Sequence, residues 1–353
     1  MAQNGQVVAA GASGLARSTH ENQTPHLPWA TTTRMNLASV SKTVTAVATM
    51  ALIEGGPLLL NNPFLPYIQS RITNQVGPGV STVTIADLLS MTSAMVPDGT
   101  LYTTGGESIF AFLNTYLQQG LVAGATPGVT YAYSNTNFTI LQAIIEQVAA
   151  SLPGAYTSYT DYVNRAVFTP MGVNTTQFSP ATDPSGVATL SYTNSSDTRR
   201  GQFWSVMQCI GPGGWIAPAT EVINYLIGIR NHVVLTAPTV NTMFTQGLGW
   251  YPYIGAYGTY YHHNGGLING ATPGQGLNTG VIHFSHGYDA VLLVNSPDDN
   301  IIQHMVNAFE AAASLPVPQP IGGTVGSPRP LPPVSQPAGA NLGIPSPLPA
   351  RRP

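Results

Sequence analysis

The chain has 353 residues, a formal net charge of −3, 43% hydrophobic residues and only 7% charged residues. That apolar content suffices for one large domain or two lobes, and it excludes the disorder that accompanies high charge and few apolar side chains. There is no basic run to meet nucleic acid, no apolar stretch as long as a membrane span, and a single cysteine, Cys209, which excludes an intramolecular disulfide and a cysteine zinc site.

The opening residues, Met1-Ala2-Gln3-Asn4-Gly5, do not read as a secretory leader, so the expectation is an intracellular protein or one whose leader is gone. Low charge and Asn-x-Ser/Thr triplets at Asn22, Asn137, Asn174 and Asn194 point toward an exported protein. Gly5 to Arg17 alternates small and apolar residues around glycines, which predicts a strand pair or a strand and turn. Met35 to Glu54 is apolar at helical spacing and closes at Gly55-Gly56, predicting a helix with Ser39 in its first turn, near the positive end of the macrodipole.

Ten of the 11 basic residues are arginines, so Lys42 is the one lysine in the chain. It stands three residues after Ser39, a spacing that puts both side chains on one helix face. A serine becomes a nucleophile when a neighbouring base takes its proton, and a desolvated lysine can be that base.

Residues 57 to 204 read as helical pieces joined by Gly/Pro/Thr loops, clearest at Thr84–Thr92, Glu107–Gln119, Thr136–Ala150 and Tyr156–Thr169. A helix over Thr220–Asn231 follows Gly211-Pro212-Gly213-Gly214. Strand-like runs come next, at Gly247–Tyr253, Gly258–His263, Thr279–Phe284 and Ala290–Asn295, the last two joined as a hairpin. A helix over Ile301–Ser314 closes the folded part. Residues 315–353 hold 12 prolines and no acid, predicting an extended or disordered tail.

Two further segments stand out. Tyr131-Ala132-Tyr133-Ser134-Asn135 precedes a helix and makes a good turn and N-cap; His262-His263-Asn264-Gly265-Gly266 ends a strand and makes a good turn. In chain order, S-x-x-K at Ser39, Y-x-N at Tyr133 and H-x-G at His263 resemble the serine β-lactamase and penicillin-binding-protein superfamily. The tyrosine and histidine versions are similar to the branch holding class C β-lactamases, D,D-carboxypeptidases, D-aminopeptidases and family VIII esterases. Val83 to Ser93 resembles that branch's T-I-x-D-L-L-x-H-T-S-G segment, with Met91 and Ala94 departing from it. Pro127-Gly128 and Gly213-Gly214 also fit, and the likeness runs through roughly the first 310 residues.

The resemblance implies an α/β (α+β) fold of the β-lactamase/transpeptidase type. An antiparallel sheet flanked by helices would come from residues 1–56 and 205–314, and a mostly helical lobe from 57–204, with the tail at 315–353 outside it. It implies Ser39 as the acylated nucleophile, Lys42 and Tyr133 as a coupled base system, and Asn135 as a substrate ligand. His263 stands where relatives carry a strand lysine, with Gly265 and Gly266 beside it, and the oxyanion hole would be the N–H groups of Ser39 and Gly266. Histidine is mostly neutral at pH 7, and no Arg or Lys occurs between Arg230 and Arg329, which favours a neutral ester or amide over an anionic substrate. A carboxylic ester hydrolase is therefore the leading expectation. The alternatives are a D,D-peptidase, a D-aminopeptidase or a weak β-lactamase, then an acyltransferase, then a sensor that is acylated without turnover. His262, His263, His283 and His286 lack acidic partners at ligand spacing and read as structural, so neither metal nor cofactor is expected. Oligomeric state is open.

Overall fold

The computed structural model describes residues 1–18, 26–97, 108–180, 188–193, 201, 209–268 and 274–314. The Pro-rich tail and the triplets at Asn22 and Asn194 lie outside the described residues. In chain order the strands are β1 (Ala2–Gln3), β2 (Gln6–Val7), β3 (Leu15–Arg17), β4 (Leu27–Pro28), β5 (Met35–Asn36), β6 (Ile216–Ala217), β7 (Tyr251–Gly255), β8 (Gly258–Ile268), β9 (Gly276–His283) and β10 (Tyr288–Val294). The α-helices are α1 (Ser41–Glu54), α2 (Ile85–Leu89), α3 (Ile109–Tyr116), α4 (Asn135–Ala149), α5 (Tyr159–Tyr162), α6 (Ile210–Gly213), α7 (Ala219–Arg230), α8 (Ala237–Thr245) and α9 (Ile301–Ser314). None of these helices is long and apolar enough to cross a membrane.

The main sheet has six strands in the order β2-β1-β10-β9-β8-β7, and every neighbouring pair is antiparallel. β9 is buried from Gly276 to Ile282, as expected of a strand covered on both faces. On one face α9 presents Met305, Val306 and Phe309 to Tyr260, Ile282 and Phe284, the helical spacing of an amphipathic helix. α7 packs on β10, and α1 is buried without a break from Ser41 to Met50, packed against α4, α6 and α8. Its threonines are accommodated because Thr43 and Thr49 turn their hydroxyls back to the carbonyls of Val40 and Thr45, both at 2.8 Å.

Two expectations need correction where the chain enters the core. Ser39 is not in the first turn of α1 but in a 3-10 turn over Ala38–Val40 that precedes it. The cause is the strand before it: Met35 pairs with Ala217 of β6, so the chain must reverse sharply. Asn36 Oδ1 accepts the Ala38 N–H at 2.6 Å, and Ala38 takes φ of 46°. Second, β8 does not end in a turn at His263–Gly266 but runs on to Ile268. The glycines serve close approach: a Cβ on Gly265 would lie 2.5 Å from the Leu37 carbonyl oxygen and 2.8 Å from the Ser39 nitrogen. β7 starts later than predicted because Gly247 and Gly249, at φ of 68° and 76°, still form a turn. α8 was not predicted, because its threonine-rich, charge-free sequence opens on Ala237-Pro238 and lacks a strong helix signature.

β7 pairs with β8 only as far as Tyr251 opposite His262, so residues 263–268 offer a strand edge that no described strand covers. Ser39 sits beside that edge. Gly265→Ala is expected to force β8 away from the Ser39 turn and to slow acylation of Ser39 by a p-nitrophenyl ester about 100-fold, the usual consequence of an ångström-scale misplacement. Stopped-flow rates measure this, and an unchanged rate would contradict the need for close approach.

Candidate active site

The residues singled out from sequence come together in the structure. Ser39 Oγ lies 3.0 Å from Lys42 Nζ and 2.6 Å from the Tyr133 hydroxyl. Lys42 is fully buried. Its amine also reaches Asn135 Oδ1 at 2.7 Å and the Pro212 carbonyl at 2.6 Å. Asn135 is the first residue of α4, and Tyr133 lies two residues before it. Gly265 touches the Ser39 turn, and Gly266 follows on the open edge of β8. Thus Ser39, Lys42, Tyr133, Asn135, Gly265 and Gly266 belong to one cluster. His263 is close enough for the Lys42 charge to act on its ring.

Hydrogen bonds from several elements hold this cluster. Asn135 is fixed as α4 docks on α1. Pro212 is fixed because the Gly211 N–H donates to Gln142 Oε1 at 2.7 Å and the Gly211 carbonyl accepts from Thr45 Oγ1 at 2.8 Å. Tyr159, whose hydroxyl is 2.7 Å from Thr45 Oγ1 and accepts from the Trp215 indole at 3.2 Å, closes the network. The Tyr133 loop rests on Met91. The Ala132 N–H donates to the Met91 carbonyl at 2.8 Å, and the Ser134 N–H meets the Met91 sulfur at 3.5 Å. Asn137 also meets that sulfur and accepts from Ser93 Oγ at 2.9 Å. Asn137, which begins one of the Asn-x-Ser/Thr triplets, is fully buried and serves as a packing residue.

Burial sets the protonation of the site. It pushes the Lys42 amine well below the ordinary lysine value. It pushes the Tyr133 hydroxyl well above the tyrosine range, against the opposing effect of the Ser39 bond. Burial also brings the His263 ring down to about 3, helped by the Lys42 charge and opposed by the bond to the Asn264 carbonyl. His262 falls to about 4 by burial alone.

The described arginines are engaged away from Ser39. Arg17 donates to the Ala188 carbonyl at 2.8 Å and Arg34 to Ser179 Oγ at 2.8 Å. Arg71 stacks over Phe110, Arg165 pairs with Asp161, and Arg230 grips the buried carboxylate of Asp289 at 2.6 Å. His283 lies 2.7 Å from the same carboxylate. Among the described residues no three His, Cys, Asp or Glu side chains gather as a metal site.

Sequence reasoning missed three contributors. The Pro212 carbonyl was invisible because it is backbone, although Gly213-Gly214 beside it had been noticed. Tyr251 and Tyr131 were missed because no motif links them. Their hydroxyls meet at 3.0 Å, and the Tyr251 ring centroid is 5.0 Å from that of His263.

Comparison with known proteins agrees with this architecture. The Beta-lactamase family model matches residues 1–315. Protein flp of Staphylococcus aureus (strain NCTC 8325 / PS 47) is 29% identical over 152 residues, 42% of this chain and 28% of that protein. Penicillin-binding protein 4* of Bacillus subtilis (strain 168) is 27% identical over 188 residues, 50% of this chain and 36% of that one. The matches thus span only about a third of those relatives' length. Among solved structures, the D-amino acid amidase of Ochrobactrum anthropi SV3 superposes with a TM-score of 0.67 at 15% identity, covering 86% of this chain and 89% of its own. The octameric penicillin-binding protein homologue of Pyrococcus abyssi gives 0.64 at 19%, covering 81% and 68%. By a family match that takes in its sheet, its helices and every residue of the cluster, this chain belongs to the Beta-lactamase family, a family of serine hydrolases.

Proposed function

We propose that the protein hydrolyses neutral carboxylic esters through an acyl-enzyme on Ser39. The observation that carries the reading is the position of Ser39 Oγ between a buried amine at 3.0 Å and a phenol at 2.6 Å. A neutral lysine has two N–H groups and one lone pair. Asn135 Oδ1 and the Pro212 carbonyl can only accept, so they take the two N–H groups. The lone pair is left for the Ser39 hydroxyl proton. Tyr133, protonated because its hydroxyl is raised, then donates to Ser39 Oγ. Lys42 is the resting base in this reading, and Tyr133 is the proton carrier.

In acylation, Ser39 Oγ bonds to the carbonyl carbon while its proton passes to Lys42. The new ammonium is held by its acceptors and by the faces of the Tyr133 and Phe138 rings, 5.0 Å and 5.8 Å away. The oxyanion is met by the N–H groups of Ser39 and Gly266. Strand alternation supports Gly266, because residues 258, 260 and 262 face β7 and residues 264 and 266 therefore face the free edge. Each such donor contributes about 3 kcal/mol. The carbon–oxygen bond to the alcohol breaks as Tyr133 gives its proton to the departing oxygen and is refilled from Lys42. In deacylation a water loses a proton through the same pair, attacks the acyl carbon, and Ser39 recovers its proton as it leaves.

The neutral His263 and the engagement of the described arginines with other partners support an uncharged substrate. An amide, the substrate class in the name of the Ochrobactrum anthropi enzyme, is the second reading for the same nucleophile. Ester and amide part on activated substrates. Wild type should cleave p-nitrophenyl butyrate faster than a p-nitroanilide of the same acyl group. A higher kcat/KM on nitrocefin or a D-Ala-D-Ala peptide would replace the ester reading.

Ser39→Ala should lower kcat on p-nitrophenyl butyrate by at least about 1,000-fold. Lys42→Arg should be equally inactive, because a guanidinium does not give up its proton. Full activity in that variant would remove Lys42 from the chemistry. The pH profile has a defined sign. Lys42 works as the neutral amine, so kcat/KM is lost as pH falls through its depressed value and is held above it. An acid limb near the ordinary 10.5 would contradict a buried neutral base.

A further inference from the structure

His263 is 1% exposed, and its two ring nitrogens are in unlike situations. Nδ1 lies 2.6 Å from the Asn264 carbonyl oxygen. A carbonyl only accepts, so Nδ1 carries the hydrogen and Nε2 is a bare lone pair. That Nε2 is buried and has no hydrogen-bond partner among the described residues. Buried polar atoms are seldom left this way, since each one forfeits its bonds to water. Nothing in the catalytic steps uses it.

Its surroundings place it beside the reaction. Side chains alternate along β8, so His263 shares a face with Gly265, which touches the Ser39 nitrogen. Two residues of strand separate positions 263 and 265 by about 7 Å along β8. The His263 ring meets that of Tyr251, tilted by 44° with centroids 5.0 Å apart. The Tyr251 hydroxyl is held by Tyr131, which belongs to the loop before α4 and is 44% exposed. Swinging Tyr251 aside exchanges that exposed hydrogen bond for one with water and opens its ring contacts with Tyr131, His262 and His263.

Resting on the reading of Ser39 as the nucleophile, we propose that His263 Nε2 is the acceptor of a leaving-group subsite selecting an uncharged hydrogen-bond donor, with Tyr251 as its cover. This polarity is opposite to that of a strand lysine. A lysine there would call for a carboxylate, whereas a bare imidazole nitrogen repels one and takes an O–H or N–H. The simplest probe carries its donor two or three bonds beyond the ester oxygen, as in the monoester of a short diol.

Hydrolysis of 2-hydroxyethyl butyrate and 2-methoxyethyl butyrate tests this, because the ether keeps the size and removes the donor. Wild type should prefer the hydroxyethyl ester by about threefold to tenfold in kcat/KM, the worth of one buried hydrogen bond. In His263→Leu the ratio should fall to about one. Equal rates in wild type, or a preference that survives in His263→Leu, would overturn the subsite. A second measurement avoids any loss of folding in that variant. Imidazole 15N spectra of Ser39→Ala should show His263 protonated at Nδ1 and bare at Nε2, with the Nε2 signal moving on addition of the hydroxyethyl ester and not of the methoxyethyl ester. A protonated Nε2, or the same response to both esters, would overturn it. If wild type cleaves neither ester, the hydrolase reading fails, and the Ser39→Ala titration still decides the subsite.

Discussion

The site depends on keeping an amine out of water. Lys42 is fully buried, and three oxygens converge on its nitrogen from the Ser39 turn, from α4 and from the segment carrying Pro212. Transferring a lysine from water to such a place disfavours the charged form, so burial pushes the amine's pKa well below the ordinary lysine value. The elements around it follow from that requirement. α1 is buried on all sides so that Lys42 emerges inside the protein. Tyr159, Thr45 and Gln142 fasten the backbone of 211–212, whose carbonyl would otherwise have to find water. Gly265 lets the strand edge close on the Ser39 turn, where a Cβ would lie 2.5 Å from the Leu37 carbonyl oxygen and 2.8 Å from the Ser39 nitrogen.

The scarcity of cations works in the same direction. A charged lysine or arginine near Ser39 would draw anions to the cleft and would shift the amine's titration. The described arginines are instead tied to carboxylates, carbonyls, a hydroxyl or an aromatic face elsewhere, and the strand position that faces the site carries an imidazole held neutral by burial. The lowered amine and the neutral imidazole are thus two consequences of the same burial.

Much of this was legible in the sequence. Ser39 and Lys42 lie three residues apart, and Tyr133 and Asn135 two apart, so each pair is a local pattern that survives without knowledge of the fold. The sheet strands near the C-terminus were legible from period-two alternation, and α9 from its period. The rest was hidden for identifiable reasons. Ser39 was placed in a helix because apolar spacing does not show that Ala38 takes φ of 46° to leave a strand. His263–Gly266 looked like a turn because glycines serve both turns and close approach, and only the position of Leu37 distinguishes the two. Pro212 acts through a carbonyl, which every residue has. Tyr131 and Tyr251 stand 120 positions apart and meet only after the sheet and the α4 loop come together.

Because the chain contains one lysine, its amine can be observed alone. Protein labelled with 15N at lysine Nζ should give a single side-chain resonance, and its pH titration reports Lys42 directly. A midpoint well below 10.5 that coincides with the acid limb of kcat/KM is the predicted result. An ammonium that persists to about 10.5 in the folded, active protein would contradict a neutral buried base at Ser39.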